Sequence, residues 1–266
     1  MKYVQATKSR TVGSVLAPFV AELELRQPAV VTKLLLGEIA SEVGSDLEPT
    51  VIAERLVRQG WLLPLRTRDS WEFAPGARAG RYPGGDSWIE LRALLLHRPE
   101  APVAIAFESA IWEYGCTSHQ PSTPVLAHRP GWRAPASLSA RNASFDWRLP
   151  TGEANGLPLW QPATTLAAIA HRPSAQGDWA NADEWLPETF RATTPDDVLL
   201  EASGRGRATL ARLGHLAEWA GRRDIADRTE ARLQGRQPSV TYLGPRHRRG
   251  SWINRWHLYD SLLSPR

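Results

Sequence analysis

Apolar residues recur at helical spacing along residues 14–26 (SVLAPFVAELELR), with Pro18 near the helix start or resetting it. Pro28 ends that run, and Val30 and Val31 are strand-like. Thr32 is placed to cap a helix over Lys33–Val43, whose apolar stripe is Leu35, Leu36, Ile39, Ala40 and Val43. Gly44 stands where such a helix stops. Ser45-Asp46-Leu47-Glu48 has the form of a capping box, which predicts a second helix from Ser45 to about Gln59, with Pro49 in its first turn and Gly60 closing it. Trp61–Leu65 and Trp71–Ala74 alternate as strands around the polar turn Arg66–Ser70. Two short helices followed directly by a hairpin predict a winged helix-turn-helix.

Residues 77–87 (ARAGRYPGGDS) are the best linker in the chain, so the expected domains are 1–80 and 81–266. Beyond the linker the pattern predicts helices over 87–97 and 104–114, then strands over 122–128 and 143–149. A loop over 150–163 leads into a helix over 163–171, and a Pro/Gly-punctuated stretch runs to about 195. Helices over 195–202, 205–220 and 223–234 follow, then two strands within 239–260 around Pro245–Gly250. The expected fold class is α+β, a winged helix-turn-helix followed by a larger mixed α/β domain. No repeat of fixed period is visible.

Composition narrows the class without naming an activity. The chain has 266 residues, 42 % of them hydrophobic and 23 % charged, as globular proteins do. One cysteine, Cys116, excludes an internal disulfide and fits a reducing compartment. No run approaches the roughly 18 consecutive apolar residues of a membrane span, and the first residues lack the apolar core of a signal peptide. A cytoplasmic protein without membrane contact or cofactor is expected. The net charge is +4, but it is unevenly spread. Residues 1–80 carry ten Lys/Arg against nine Asp/Glu, 81–202 carry nine against fourteen, and 203–266 carry thirteen against five. The positive excess therefore lies at the end of the chain, far from the expected DNA reader.

In a helix-turn-helix the second helix enters the major groove. Ile52, Ala53, Leu56 and Val57 form its inner side, leaving Thr50, Glu54, Arg55 and Arg58 outward. Arg58 is suited to guanine, Thr50 to a base or phosphate, and Glu54 to cytosine or to orienting an arginine. Arg66 and Arg68 at the wing tip would reach phosphate or the minor groove. The competing reading is a winged helix used for protein contact, an adaptor whose arginines are merely solvated. Three readings of the basic end also stay open: phosphate contacts flanking an operator, contact with an acidic protein or its nucleic-acid substrate, or a solvated helical face. Arg246, Arg248 and Arg249 stand out because three cations on one short turn repel each other unless an anion offsets them.

Enzyme signatures fail one by one. No lysine follows Lys33, so Pro195-Asp196-Asp197 lacks the lysine of a restriction-type nuclease and reads as a helix start. Gly13-Ser14 with Glu22-Leu23-Glu24 has the wrong spacing and acids for a nucleotidyl-transfer metal pair. Cys116-x-x-His119 has no second ligand pair, and Ser109 has no Gly-x-Ser-x-Gly frame. No phosphate loop or dinucleotide fingerprint is present. No catalytic residue, no metal and no enzyme activity are expected.

Several segments, taken in order, resemble the AbiEi family, the antitoxins of AbiE-type (type IV) toxin–antitoxin systems. They are Ala29-Val-Val-Thr-Lys33, the helix pair, Arg55-Leu-Val-Arg-Gln-Gly-Trp61-Leu62, Trp71-Glu-Phe-Ala-Pro75, Ala106-Phe-Glu-Ser-Ala-Ile-Trp112-Glu-Tyr114-Gly115, residues 158–171 (PLWQPATTLAAIAHR) and Asn254-Arg-Trp256-His-Leu258. The resemblance covers most of the chain. It implies a non-enzymatic antitoxin that binds inverted repeats of double-stranded DNA in its own promoter and represses that operon. It also implies a neighbouring nucleotidyltransferase-like toxin, counteracted with or without a stable complex. Glu54 and Pro49 depart from the more basic, Ser/Thr-rich reading helix of such proteins.

Overall fold

The structure is a computed structural model and describes residues 13–75 and 85–263. The chain is mixed α+β and divides into two compact units, one of Met1–Ala101 with Pro135–Ser139 and one of Pro102–Ala134 with Ala140–Arg266. The division thus falls at Ala101–Pro102, later than the expected 80–81. Most of the expected linker lies outside the described residues.

The first unit runs α1 (Ala17–Arg26), β1 (Val30–Thr32), α2 (Lys33–Glu42), α3 (Pro49–Arg58), β2 (Leu62–Pro64), β3 (Ser70–Phe73) and α4 (Ile89–His97). Its three strands form an antiparallel sheet in the order β1-β3-β2. Pro18 sits at the start of α1, as the pattern predicts. The Thr32 hydroxyl caps α2 by accepting from Leu35 N at 3.2 Å. Phe19, Leu23, Val31, Leu36, Ile39, Ile52, Leu56 and Leu62 close the core.

One local expectation is corrected. Ser45 is not the cap of α3; its Oγ accepts from Leu47 N at 3.3 Å, a turn two residues wide. The helix begins at Pro49, with Glu48 as an N-cap lacking a side-chain bond. Proline is favoured at the first helical position, so it moves the start later than the capping-box pattern predicts. Gly44 and Gly60 both adopt left-handed backbone, as their places at helix ends require.

The second unit runs β4 (Val103–Ile105), α5 (Phe107–Glu113), β5 (Val125–His128), β6 (Arg141–Ser144), β7 (Gly152–Ala154), β8 (Leu157–Leu159) and α6 (Pro162–His171). It continues with α7 (Ala182–Arg191), α8 (Pro195–Glu201), α9 (Arg207–Trp219), α10 (Arg223–Ala231), β9 (Thr241–Leu243), β10 (Ser251–Ile253) and β11 (Leu258–Asp260). Strands β4–β8 form a mixed five-stranded sheet in the order β6-β5-β4-β8-β7. Helix α6 is the hub, since every residue from Pro162 to Ala170 is buried.

Four expectations change here. The expected helix over 104–114 is a strand, β4, followed by the shorter α5. The expected loop over 150–163 contains the hairpin β7–β8 around Asn155-Gly156, both with positive φ. The punctuated stretch before 195 contains α7, with Pro187 inside it. Trp185, Leu186 and Phe190 are fully buried there, and that burial outweighs one lost helical hydrogen bond. The end of the chain is not a hairpin but a three-stranded sheet in the order β10-β11-β9. Strand β11 pairs antiparallel with β10 and parallel with β9.

That last sheet is anchored to α9 through Trp256. The indole is fully buried and lies on Gly214, where a Cβ would overlap the ring. Its Nε1 donates to Glu218 Oε2 at 2.6 Å. We predict that Gly214→Ala destabilises the chain by about 1–3 kcal/mol through overpacking, read as a lower midpoint in urea, whereas alanine at an ordinary helical glycine stabilises.

Candidate nucleic-acid interface

The six residues singled out on α3 and the β2–β3 turn are all on the surface. Thr50, Glu54, Arg55 and Arg58 line the exposed side of α3, and Ile52, Ala53 and Leu56 form its buried side. Val57, expected to be buried, is half-buried. Arg66 and Arg68 lie exposed in the β2–β3 turn. The Arg68 side chain is 95 % exposed, with Asp69 Oδ2 at 3.6 Å from its Nε. A pair that open to water contributes little, and the cation remains available.

The residue that shapes this turn was missed in the sequence. Glu90, in the first turn of α4, reaches back to the β2–β3 turn. Its carboxylate accepts from Arg66 N at 2.7 Å, from Thr67 N at 3.2 Å and from the Thr67 hydroxyl at 3.0 Å. Ser70 Oγ and His97 Nε2, 2.8 Å apart, tie the other end of α4 to the start of β3. Two helix ends thus hold one hairpin, with the Arg66 and Arg68 side chains left outward. The distance of 24 residues between Arg66 and Glu90 leaves no local pattern to read.

The basic end is largely consumed inside the fold. Arg212 Nε donates to Tyr242 O at 2.7 Å, and its Nη1 to Ala170 O and His171 O at 3.1 and 3.2 Å. Arg205 Nε donates to Glu201 O at 2.8 Å and Arg232 Nη1 to Leu199 O at 2.5 Å. Arg222 binds the carbonyls of Phe190 and Thr193. Apart from Tyr242 O, which lies on β9, these carbonyls stand at or near the ends of α6, α7 and α8, where helices leave oxygens unpaired and favour cations. Burial pulls the Arg205 and Arg212 pKa below the ordinary value. Arg255 binds Glu218, Asp227 and Glu230 together, which raises its pKa further. The solvated-face reading therefore fails for most of these arginines. Arg246, Arg248 and Arg249 differ, lying exposed on the turn between β9 and β10. Arg246 sits over the Tyr242 ring, 4.9 Å from its centroid.

The residues tested for chemistry have structural partners. Ser109 Oγ accepts from Val125 N at 2.9 Å. Cys116 is buried, which pushes its thiol pKa up and disfavours the thiolate. His119 faces Glu184 at 3.4 Å. Asp197 receives the Thr194 hydroxyl at 2.7 Å while its own N–H donates back to that oxygen, and Asp196 pairs with Arg228 at 2.5 Å. Glu108 is pushed up by burial and pulled down by Arg141, a pair that also reaches Ala175 O. Among the described residues no three His, Cys, Asp or Glu side chains gather as a metal site. No described helix is long and apolar enough to cross a membrane.

What these features define is an α+β protein with an arginine-bearing helix and hairpin on one unit and an exposed cationic turn on the other. Residues 103–219 match the family model of the AbiEi antitoxin C-terminal domain, the family that the sequence resemblance names. The match begins where the second unit begins and ends with α9. The fold resembles the crystal structure of the RV2827C protein from Mycobacterium tuberculosis, at 25 % identity and a TM-score of 0.83, over 96 % of this chain and 94 % of that one. No curated protein matches the chain.

The three-donor grip on the hairpin makes a direct prediction. Glu90→Ala speeds hydrogen exchange at the Arg66 and Thr67 amides by about tenfold or more, since hydrogen bonds to a charged group contribute roughly 1.5–3 kcal/mol. Unchanged exchange there would mean the turn holds its shape without α4.

Proposed function

We propose that this chain is a DNA-binding antitoxin that represses its own toxin–antitoxin operon and counteracts a nucleotidyltransferase-like toxin encoded beside it. In this reading the first unit, 1–80 with α4 added, is a winged helix-turn-helix. One observation carries it: α3 exposes Thr50, Glu54, Arg55 and Arg58 while the adjoining hairpin exposes Arg66 and Arg68. The element order helix, strand, helix, helix, hairpin, with β1 pairing β3, supports it. Helix α3 would lie in the major groove, with Arg58 on a base edge and Arg55 on base or phosphate. Arg66 and Arg68 would contact phosphate or minor groove. Glu54 would restrict which base is accepted beside Arg58. The near-neutral charge of residues 1–80 makes a few placed arginines decisive.

On a DNA fragment carrying the chain's own upstream region, we expect sequence-specific shifts. Arg58→Ala should weaken them by roughly 1–3 kcal/mol and relax the preferred base, while Arg68→Ala should lower the salt dependence by about one phosphate. Binding no tighter than to unrelated duplex removes the repressor half.

A second reading is a winged helix that binds protein. Leu25 and Leu34 favour it, at 78 % and 74 % exposure on the same unit. Loss of repression on Leu25→Ser with Arg58→Ala silent would select it.

For the antitoxin half, co-expression with the adjacent open reading frame should rescue growth. The rescue should survive Arg58→Ala if the second unit carries it. A toxin equally lethal with and without this chain would refute that half.

A further inference from the structure

We infer that the outer face of the C-terminal sheet is a binding platform for single-stranded nucleic acid. The register of the three strands carries the inference. Trp252 on β10 lies opposite Tyr259 on β11, and Tyr259 lies opposite Tyr242 on β9. Opposite residues share one face of a sheet, so the three rings form a row straight across it. The alternate residues Thr241, Leu243, Leu258 and Asp260 are buried on the other face. That inner face docks on α9 through His215, 2.8 Å from Asp260, and through Trp256. The ring row is therefore the outward side, with Trp252 46 % exposed and both tyrosines half-buried.

A row of cross-strand aromatics also stabilises a sheet, so the rings alone prove nothing about a ligand. The charge beside them does. The β9–β10 turn carries Arg246, Arg248 and Arg249, all exposed, with Arg246 over the Tyr242 ring and no ion pair to any of them among the described residues. Between Gln237 and Arg266 the sequence holds one acid, Asp260. That carboxylate is turned inward and saturated: Oδ2 faces His215, and Oδ1 accepts from Leu262 N at 2.8 Å and Leu263 N at 3.0 Å. Residues of this segment thus offer rings and cations outward and no counter-charge. The turn is also held in shape. Gly250 comes so close to the Asp260 carbonyl that any Cβ would collide with it, and its N–H donates to the Tyr259 hydroxyl at 3.2 Å. These three stand out because most other arginines of the chain's end, such as Arg212, Arg232 and Arg255, are bound to carbonyls or carboxylates.

Rings on an open sheet stack on unpaired bases, while arginines beside them take the phosphates. At strand spacings near 4.8 Å the row spans about 10 Å, room for two or three bases. A duplex hides its base faces and would use the arginines alone. An acidic protein would likewise use the arginines and leave the rings idle. The platform lies beyond residues 103–219, and it does not rest on the DNA-reading proposal for α3.

Fluorescence anisotropy on the full chain tests this, with labelled oligo-U and oligo-dT of about 12 nucleotides and an unrelated duplex of equal length. To keep the α3 surface out of the readout, every variant is also made in the Arg58→Ala background. We expect single strands to bind more tightly than duplex. Trp252→Leu should weaken them about fivefold or more and Trp252→Phe should restore them, as stacking requires. Arg248→Gln with Arg249→Gln should lower the salt slope by about one to two phosphates without altering the thermal melt. Preference for oligo-U over oligo-dT identifies RNA as the ligand, and equal binding identifies any single strand; both support the platform. Duplex bound as tightly as single strand, with Trp252→Leu silent, would overturn it. So would poly-glutamate competing as well as oligo-U, or no single-strand binding at all.

Discussion

The second unit is organised around a carboxylate with no exposure to water. Glu201, the last residue of α8, is 0 % exposed. Its Oε1 accepts from Arg148 N, Leu149 N and the Thr164 hydroxyl at 3.0, 2.8 and 2.8 Å. A desolvated carboxylate is costly unless hydrogen bonds replace its hydration. Here the replacement at Oε1 comes from two separate pieces of chain, the segment after β6 and helix α6, which are thereby tied to the end of α8, while Oε2 is buried without a hydrogen-bond partner. Helix α6 has no solvent side, so everything near it must converge on it, and Glu201 fixes how two neighbours do so. Trp160, just before α6, extends the arrangement toward the sheet by meeting Phe107, Phe145 and Trp147 at ring distances of 5.1–5.7 Å.

The arginines then finish what the helices leave open. A helix ends with carbonyls that have no intrahelical partner, and packing several short helices around one hub places those ends near the protein interior. Water does not reach all of them. Arg205, Arg212, Arg222 and Arg232 supply the missing donors, and the guanidinium fork can serve two carbonyls at once. Arg222 does so with Phe190 and Thr193, and Arg212 with the end of α6. The positive excess of the chain's end is thus mainly a consequence of helix packing. Among the described residues the remainder, Arg223 and the three arginines of the β9–β10 turn, stays exposed without an ion pair.

Local sequence signals gave a faithful account of the first unit. Thr32, Gly44, Gly60 and the alternation around Arg66–Ser70 each act within a few residues, and each is seen in the structure. The outward set on α3 was legible for the same reason, since a strongly two-sided helix states its own orientation. The capping box failed because a local competitor, Pro49, set the start of α3. In the second unit the errors have one cause. Strand β4, the β7–β8 hairpin and helix α7 are short segments whose identity depends on distant partners: Ile105 on Leu159, and Trp185 on a core assembled from other helices. Glu90 and Glu201 were invisible for the same reason. A lone glutamate in a sequence looks solvated, and nothing nearby announces three donors that arrive from 23 or 24 residues away at Glu90 and from 37 to 53 residues away at Glu201.

The end of the chain shows most clearly what counting charge leaves out. The excess of thirteen cations over five acids suggested a surface field, yet a field requires charges that are not already bound. Once carbonyls and carboxylates have taken their share, the remaining positive patch is small. It is the register of β9, β10 and β11, set by a parallel pairing that no hairpin pattern foretells, that places three aromatic rings in one row, with Arg246 over the Tyr242 ring. Trp256 on Gly214 sets which face turns inward, because an indole lying on a bare helix backbone fixes the sheet's distance from α9. The same contact that secures the core of this region therefore leaves the rings on the opposite, open side, where Arg246 lies over Tyr242. A side chain on Gly214 would act on the outer surface without touching it, by disturbing the base on which the sheet rests.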